Sequence, residues 1–367
     1  NKDKVNPDWR VALDVTPENA IADVTNWNFR DNTGRFDKTS ALAIKARVLL
    51  YAASPRNNPD GDVKKWERAA EAANDVIQTR KAIFEKGLGF GDGARSHPSC
   101  HMPANRDYGA YFLKNAAAND VESIFLIRKS AGSTPEIMNY PVGTRGGNSG
   151  VCPTQNLVDA YEYVGQETVN PYQNRDPRFA ATIVYNGCAW NGVNNFDESP
   201  QGQFSQNTNG ASKTGYYLRK FLAPNLNLIE GGSTDHIWPL YRYAEVLLNY
   251  AEAMNEAYGP DNGKDWLSAV EAVNVLRSRL VCPASENIVN ANDPYYYIKV
   301  ERDENPDFPV LPDGMPGLLT GMSKDQAREQ IQNERVIELA FEDQYFYDIL
   351  RWKQGPEHIG SPIYGVD

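Results

Sequence analysis

The stretch IQNERVIELAFEDQYFYDILRW, residues 331–352, decides how this chain folds. Glu334, Glu338 and Glu342 recur every four residues and so line one ridge of a helix. Arg335 stands three positions before Glu338, placed to neutralise part of that ridge. Phe341, Tyr345, Asp348 and Trp352 form a second helical stripe. Upstream, Ser323 and Gln326 have the S-x-x-Q spacing of a capping box. The pattern predicts amphipathic helices that pack the aromatic stripe on a core. Carboxylates one turn apart more often form a solvated or ion-paired face than a metal or catalytic site, so the ridge is read that way.

Working outward, two stretches resemble each other. Residues 46–53 read ARVLLYAA and residues 244–251 read AEVLLNYA. WERAAEAANDVI begins at Trp66 and WLSAVEAVNVLR at Trp266, with Ala69, Glu71, Ala72 and Asn74 recurring as Ala269, Glu271, Ala272 and Asn274. This is an internal repeat of a two-helix unit. Its turns are NNPDGD at 57–62 and PDNGKD at 260–265, where Gly61 and Gly263 suit the bend and Asp62 and Asp265 can cap the second helix. Small residues at fixed positions let paired helices approach closely, as in tetratricopeptide-like repeats that bury their faces on neighbours. Helices are expected over 38–54, 63–81, 241–258, 265–281, 323–341 and 343–353, with Pro55 ending the first. Trp66, Trp266 and Trp352 sit at helical positions and are assigned to the core.

Between the repeats lies a long insert rich in Gly, Asn, Tyr and Pro, with β-like runs SIFLIRK (123–129) and RFAATIVYN (178–186). Arg175-Asp176-Pro177-Arg178 reads as a turn leading into the second run, its arginines pairing locally. A further irregular segment spans 283–322. The chain has 367 residues, a net charge of −11 and a sequence pI near 5.0. That balance argues against nucleic acid and against anionic lipid, both of which call for a basic surface. No run approaches the ~18 apolar residues of a membrane span. Cys100, Cys152, Cys188 and Cys282 have no metal-ligand spacing; they permit disulfides without requiring them.

Taken together, NERVIELAFEDQYFYDILRW (333–352), GRFDKTSALAIKARVLLYAASP (34–55), PTQNLVDAYE (153–162), NRDPRFAATIVYNG (174–187), SKTGYYLRKF (212–221), YRYAEVLLNYAEAMNE (241–256) and AVEAVNVLRSRL (269–280) resemble the SusD/RagB family. The resemblance implies one SusD-like domain over 1–367: mostly α, with tetratricopeptide-like helix pairs at 34–82 and 241–282, a ligand-loop insert at 83–240 holding short β-strands, and C-terminal motif helices at 323–354. It also implies an outer-membrane, cell-surface lipoprotein of a Gram-negative, Bacteroidetes-type bacterium. Such a protein would capture a glycan without catalysis and deliver it to a SusC-like TonB-dependent transporter. The family normally begins with a longer N-terminal region and a lipidated cysteine. Membrane contact is therefore expected only through an anchor not present in this chain, and part of the family domain is expected to be missing.

A sugar presents apolar C–H faces and a rim of hydroxyls, so a binder needs flat rings beside amide, guanidinium or carboxylate groups. The chain holds 20 tyrosines and 7 tryptophans. The segment 139–147, NYPVGTRGG, sets Asn139, Tyr140 and Arg145 in a flexible stretch. Trp190, Tyr296 within Tyr295–Tyr297, and Trp27 are the other ligand-binding candidates. No catalytic residue, metal ligand or cofactor is assigned. Pro98 disfavours a helix carrying His97 and His101 as a metal pair. The Asn58–Asp62 loop lacks a full calcium pattern and reads as a plain turn. Two other readings stand beside capture: a tetratricopeptide scaffold binding peptide or glycoprotein, and a helical glycoside hydrolase with two carboxylates across a cleft.

Overall fold

The computed structural model describes residues 36–85, 108–113, 122–165, 167–264, 266–278, 315 and 317–366. The architecture is mostly helical, with few short strands. Helix α1 (Lys38–Ala53) starts where Asp37 accepts a hydrogen bond from the Ser40 amide at 2.8 Å. It ends at Ser54, before Pro55, and α2 (Val63–Glu85) follows after a tight turn. In that turn the Asn58 side chain bonds the Asp62 amide and carbonyl, each at 3.0 Å, and Gly61 takes φ 67°. Asp62 then accepts from the Lys64 amide at 3.0 Å, as its capping role requires.

The described part of the insert begins with the short helix α3 (Tyr108–Tyr111) and the strand β1 (Ser123–Gly132). It continues through short helices α4 (Thr134–Asn139), α5 (Gln155–Ala160) and α6 (Pro177–Thr182). Strands β2 (Ile183–Val184) and β3 (Tyr217–Leu218) pair with each other, and β4 (Thr234–Arg242) pairs antiparallel with β1. Thus 123–129 is a strand as read, but 178–186 is not one long strand. Pro177 at the helix start, and Asp176 accepting from the Arg178 amide at 2.9 Å, nucleate α6 instead, leaving two residues to pair. Arg175-Asp176-Pro177-Arg178 therefore leads into a helix.

Strand β4 runs straight into α7 (Tyr243–Tyr258), the central helix, in which Tyr243 through Glu256 are all buried. A helix enclosed on every side needs neighbours on every side. Here they are α1, α2, α8 (Ala269–Ser278) and α9 (Lys324–Glu338). Ala46, Ala69, Ala72, Ala244, Ala251 and Ala272 are all at most 2% exposed, so small side chains set the close helix spacing. Trp66 is buried in this core, whereas its repeat partner Trp266 is only partly covered. Asp265 lies outside the described residues. The second unit is capped by Ser268, which accepts from the Glu271 amide at 3.2 Å while Glu271 accepts from the Ser268 amide at 2.7 Å.

Ser323 and Gln326 form the expected capping box at the start of α9. The decisive stretch then breaks. Phe341 and Asp343 both adopt φ 62°, and the chain resumes as α10 (Tyr345–Arg351) and α11 (Gly355–Ile359). The aromatic stripe is consequently not one face: Trp352 is 8% exposed and buried, but Tyr345 is 42% exposed. Arg335 does not neutralise the ridge. It reaches Asp348 at 3.0 Å and Asn249 at 2.7 Å. Among the described residues no helix is long and apolar enough to cross a membrane.

Candidate functional site

The acidic ridge is ion-paired, and it is buried rather than solvated: Glu334 and Glu338 are 0% exposed and Glu342 6%. The cations come from the insert, from the strand–helix junction and from α8. Arg178 donates to Glu334 at 2.6 Å and to Glu338 at 2.8 Å. Arg242, the last residue of β4, donates to Glu338 at 2.6 Å, to Glu342 at 2.7 Å and to Glu122 at 2.5 Å. Lys220 reaches Glu342 at 2.7 Å, and Arg277 reaches Glu334 at 3.0 Å. The left-handed Phe341 turns the chain so that Glu342 joins this seam after the helix has ended. Arg242 also donates to the Glu338 carbonyl at 2.8 Å and Lys220 to the Ala340 carbonyl at 2.8 Å, placing positive charge at the helix C-terminus.

Burial opposes the charge on Arg178, but Asp176 and Glu334 outweigh it and hold the guanidinium more firmly protonated than usual. Burial pulls Lys220 down to about 8, with Glu342 working against it. Every oxygen of the three ridge carboxylates accepts a hydrogen bond from a cation, which leaves none free to act on a ligand.

The insert folds over this seam as a loop layer with its own small core. Tyr140 (0% exposed) and Trp190 (3%) meet edge to face at 5.4 Å within that core, together with Phe196, Phe204 and Tyr217. The Tyr140 hydroxyl donates to the Ala223 carbonyl. The structure thus brings these two candidates together, but as core: the ring faces expected to be available for stacking are covered. Asn139 is half-buried. Its side-chain NH₂ donates to the Pro135 carbonyl at 2.8 Å and its oxygen accepts from the Val151 amide at 3.0 Å, so both ends pin the loop. Arg145 is exposed and has no hydrogen-bond or ion-pair partner among the described residues. A Cβ on neighbouring Gly146, which has φ 88°, would lie 3.2 Å from Leu228 and 3.7 Å from Ile229. The backbone at Gly146, next to Arg145, thus lies close to Leu228 and Ile229. Trp27 and Tyr296 lie outside the described residues, as do His97, His101, Cys100 and Cys282. Cys152 and Cys188 are free thiols.

One group in the loop layer escapes the sequence reading. Glu198 is 8% exposed, and its carboxylate oxygens have no hydrogen-bond partner of good geometry among the described residues, with the Gln206 side chain close by. Burial pushes its carboxyl up to about 7. Its charge is felt by Tyr172 and Tyr217, both of which are raised chiefly by their own burial. Among the described residues no group of three or more His, Cys, Asp or Glu side chains is placed to hold a metal ion.

The sequence pattern of the SusD family matches residues 118–367. The chain is 34% identical over 146 residues to the SusD-like protein P2 of Formosa agariphila, a match covering 40% of this chain and 22% of that protein. Among solved structures, a SusD-like carbohydrate binding protein from Bacteroides fragilis superposes with a TM-score of 0.64 at 24% identity, over 90% of this chain and 55% of that one. A second SusD-like protein from the same organism gives 0.57 at 26% identity, over 88% and 56%. The chain thus spans little more than half the length of these solved relatives and under a quarter of the curated one.

Proposed function

Because the chain belongs to the SusD family, we propose that it captures an oligosaccharide or polysaccharide at the cell surface without cleaving it, and passes it to a SusC-like TonB-dependent transporter. The observation that carries this reading is family membership, reinforced by a relative of the same fold described as carbohydrate binding. The geometry supports it in two ways. The helical scaffold is locked by buried ion pairs, and the insert it supports presents a partnerless guanidinium, Arg145, on rigid backbone. The three ridge carboxylates are all occupied, which disfavours them as the acid and base of a glycosidase. Tethering at the outer membrane by a lipid anchor is part of the same proposal.

The test is a titration against plant, host and microbial glycans, with the same tubes assayed for shortened products. Saturable binding without products is expected, weakened by Arg145→Ala. Product formation would overturn the non-catalytic reading. Co-purification of a large β-barrel partner from native membranes tests the delivery step, and its absence after mild solubilisation would count against it.

A further inference from the structure

Outside the loop layer, an open groove of about 450 Å³ runs along the first helix pair. Lys45 and Leu49 line it from α1, Arg68, Glu71 and Asp75 from α2, and Trp266 from the turn before α8. The volume is that of a small-molecule site. Arg68, Glu71 and Asp75 fall at i, i+3 and i+7, one exposed ridge of α2. Lys45 and Asp75 pair across the groove at 3.4 Å with both side chains about half exposed. Arg68 and Glu71 are one turn apart and opposite in sign, yet neither has a hydrogen-bond or ion-pair partner among the described residues. Trp266 packs one part of its ring against the helical core and keeps another part on the groove, with the Lys264 ammonium 5.1 Å from the ring centroid.

These groups select a chemistry. The lining carries two cations and two anions, so it offers a charged ligand no net attraction. Its aliphatic surface is limited to Leu49 and Ala72, too little to hold an apolar peptide side chain. What remains is the part of the Trp266 ring that borders the groove, a free fork of donors and a free carboxylate acceptor. A neutral pyranose matches all three: its C–H face lies on the ring, and its hydroxyls accept from Arg68 and donate to Glu71. We infer that this groove is a binding site for one or two neutral sugar units of a glycan chain, with Trp266 as the stacking platform and Arg68 and Glu71 as the hydroxyl partners. The inference rests on the glycan-capture reading and adds to it a subsite on the helical scaffold, outside the insert.

The test uses the full chain and four neutral probes: maltotriose, cellotriose, xylotriose and N-acetylchitotriose. Binding is followed by saturation-transfer NMR and calorimetry. At least one probe is expected to bind, with an affinity that stays level as salt rises from about 50 to about 500 mM, because no ion pair forms with a neutral ligand. The double variant Arg68→Ala/Glu71→Ala, whose side chains are exposed and partnerless, keeps the fold and is expected to raise Kd by about tenfold or more. Trp266→Ala abolishes binding, and Trp266→Tyr restores part of it. Trisaccharide binding that survives both groove variants but falls with Arg145→Ala overturns the groove and leaves glycan capture standing. Failure of all four trisaccharides, with parent polysaccharides still bound, also overturns the groove alone. Failure of the polysaccharides as well removes both readings.

Discussion

Arg178 and Arg145 both belong to the insert, and they live under opposite rules. Arg178 is fully buried and donates to Asp176, Glu334 and Glu338, whereas Arg145 is exposed and donates to nothing among the described residues. The same contrast separates the seam under α9 from the loop layer and the groove. In the seam, burial makes each charge expensive, so every charge is matched. At the surface a lone charge costs little, so it can wait for a ligand. Density of charge in this molecule therefore marks the buried seam, and the partnerless groups are the ones proposed to meet a ligand.

The contrast breaks most visibly if a seam cation is removed. Arg178→Leu leaves Glu334 and Glu338 short of a counter-ion in a fully buried setting, and is expected to cost about 3–5 kcal/mol in chemical denaturation. A loss under about 1 kcal/mol would mean that the seam is wetter than its geometry implies.

Glu198 tests the same rule from the other side, since it is buried with little to match it. Its folded pKa of about 7 lies above the unfolded carboxyl value, so the folded state holds the proton more tightly. The penalty is absent at acid pH, where both states are protonated; it grows as pH rises from about 4.5 to about 7 and levels off above that, where both states are ionised. Glu198→Gln is expected to stabilise the protein by up to roughly 3 kcal/mol at pH 8 and to do nothing at pH 4. An equal effect at both values would point to packing instead.

A smaller effect probes the loop that carries Arg145. A Cβ on Gly147 would lie 2.5 Å from the Tyr140 carbonyl oxygen and 2.8 Å from that of Pro141. Gly147→Ala should cost about 1–3 kcal/mol and shift the neighbouring turn, seen as altered amide exchange over 140–149. Smaller again, Ser323→Ala removes one half of the α9 capping box and should cost about 1 kcal/mol. At the bottom of the scale, Arg145→Ala should leave stability within about 0.5 kcal/mol of the parent while lowering glycan binding, the pairing of effects that marks a functional surface charge.

Much of the scaffold was legible because it is local. Small residues recurring at fixed positions in ARVLLYAA and AEVLLNYA, and the S-x-x-Q cap, act within a turn or two of helix, so spacing alone announces them. The depth of the acidic ridge was not legible, because its cations stand 156 residues away in the case of Arg178 and Glu334, and 96 in the case of Arg242 and Glu338. Tyr140 misled for the same reason. Its glycine-rich neighbours mark a turn correctly, but nothing nearby in the chain hints that the Ala223 carbonyl, 83 residues on, receives its hydroxyl. Trp266 misled in reverse. Repeat symmetry with the buried Trp66 places it in the core, yet only one of the two helix units covers its tryptophan fully.

The seam has a consequence for the order in which the molecule can be completed. Its anions at Glu334, Glu338 and Glu342 are synthesised after Arg178, Lys220 and Arg242, which stand about 90 or more residues earlier in the chain. A nascent chain halted at residue 330 would have to bury Lys220 without its carboxylate and Arg178 and Arg242 without most of theirs. That arrangement is unfavourable enough to keep the insert from docking on the helices. Docking of the loop layer on its scaffold is therefore expected to wait for α9 and the turn that follows it, because only they bring the matching carboxylates.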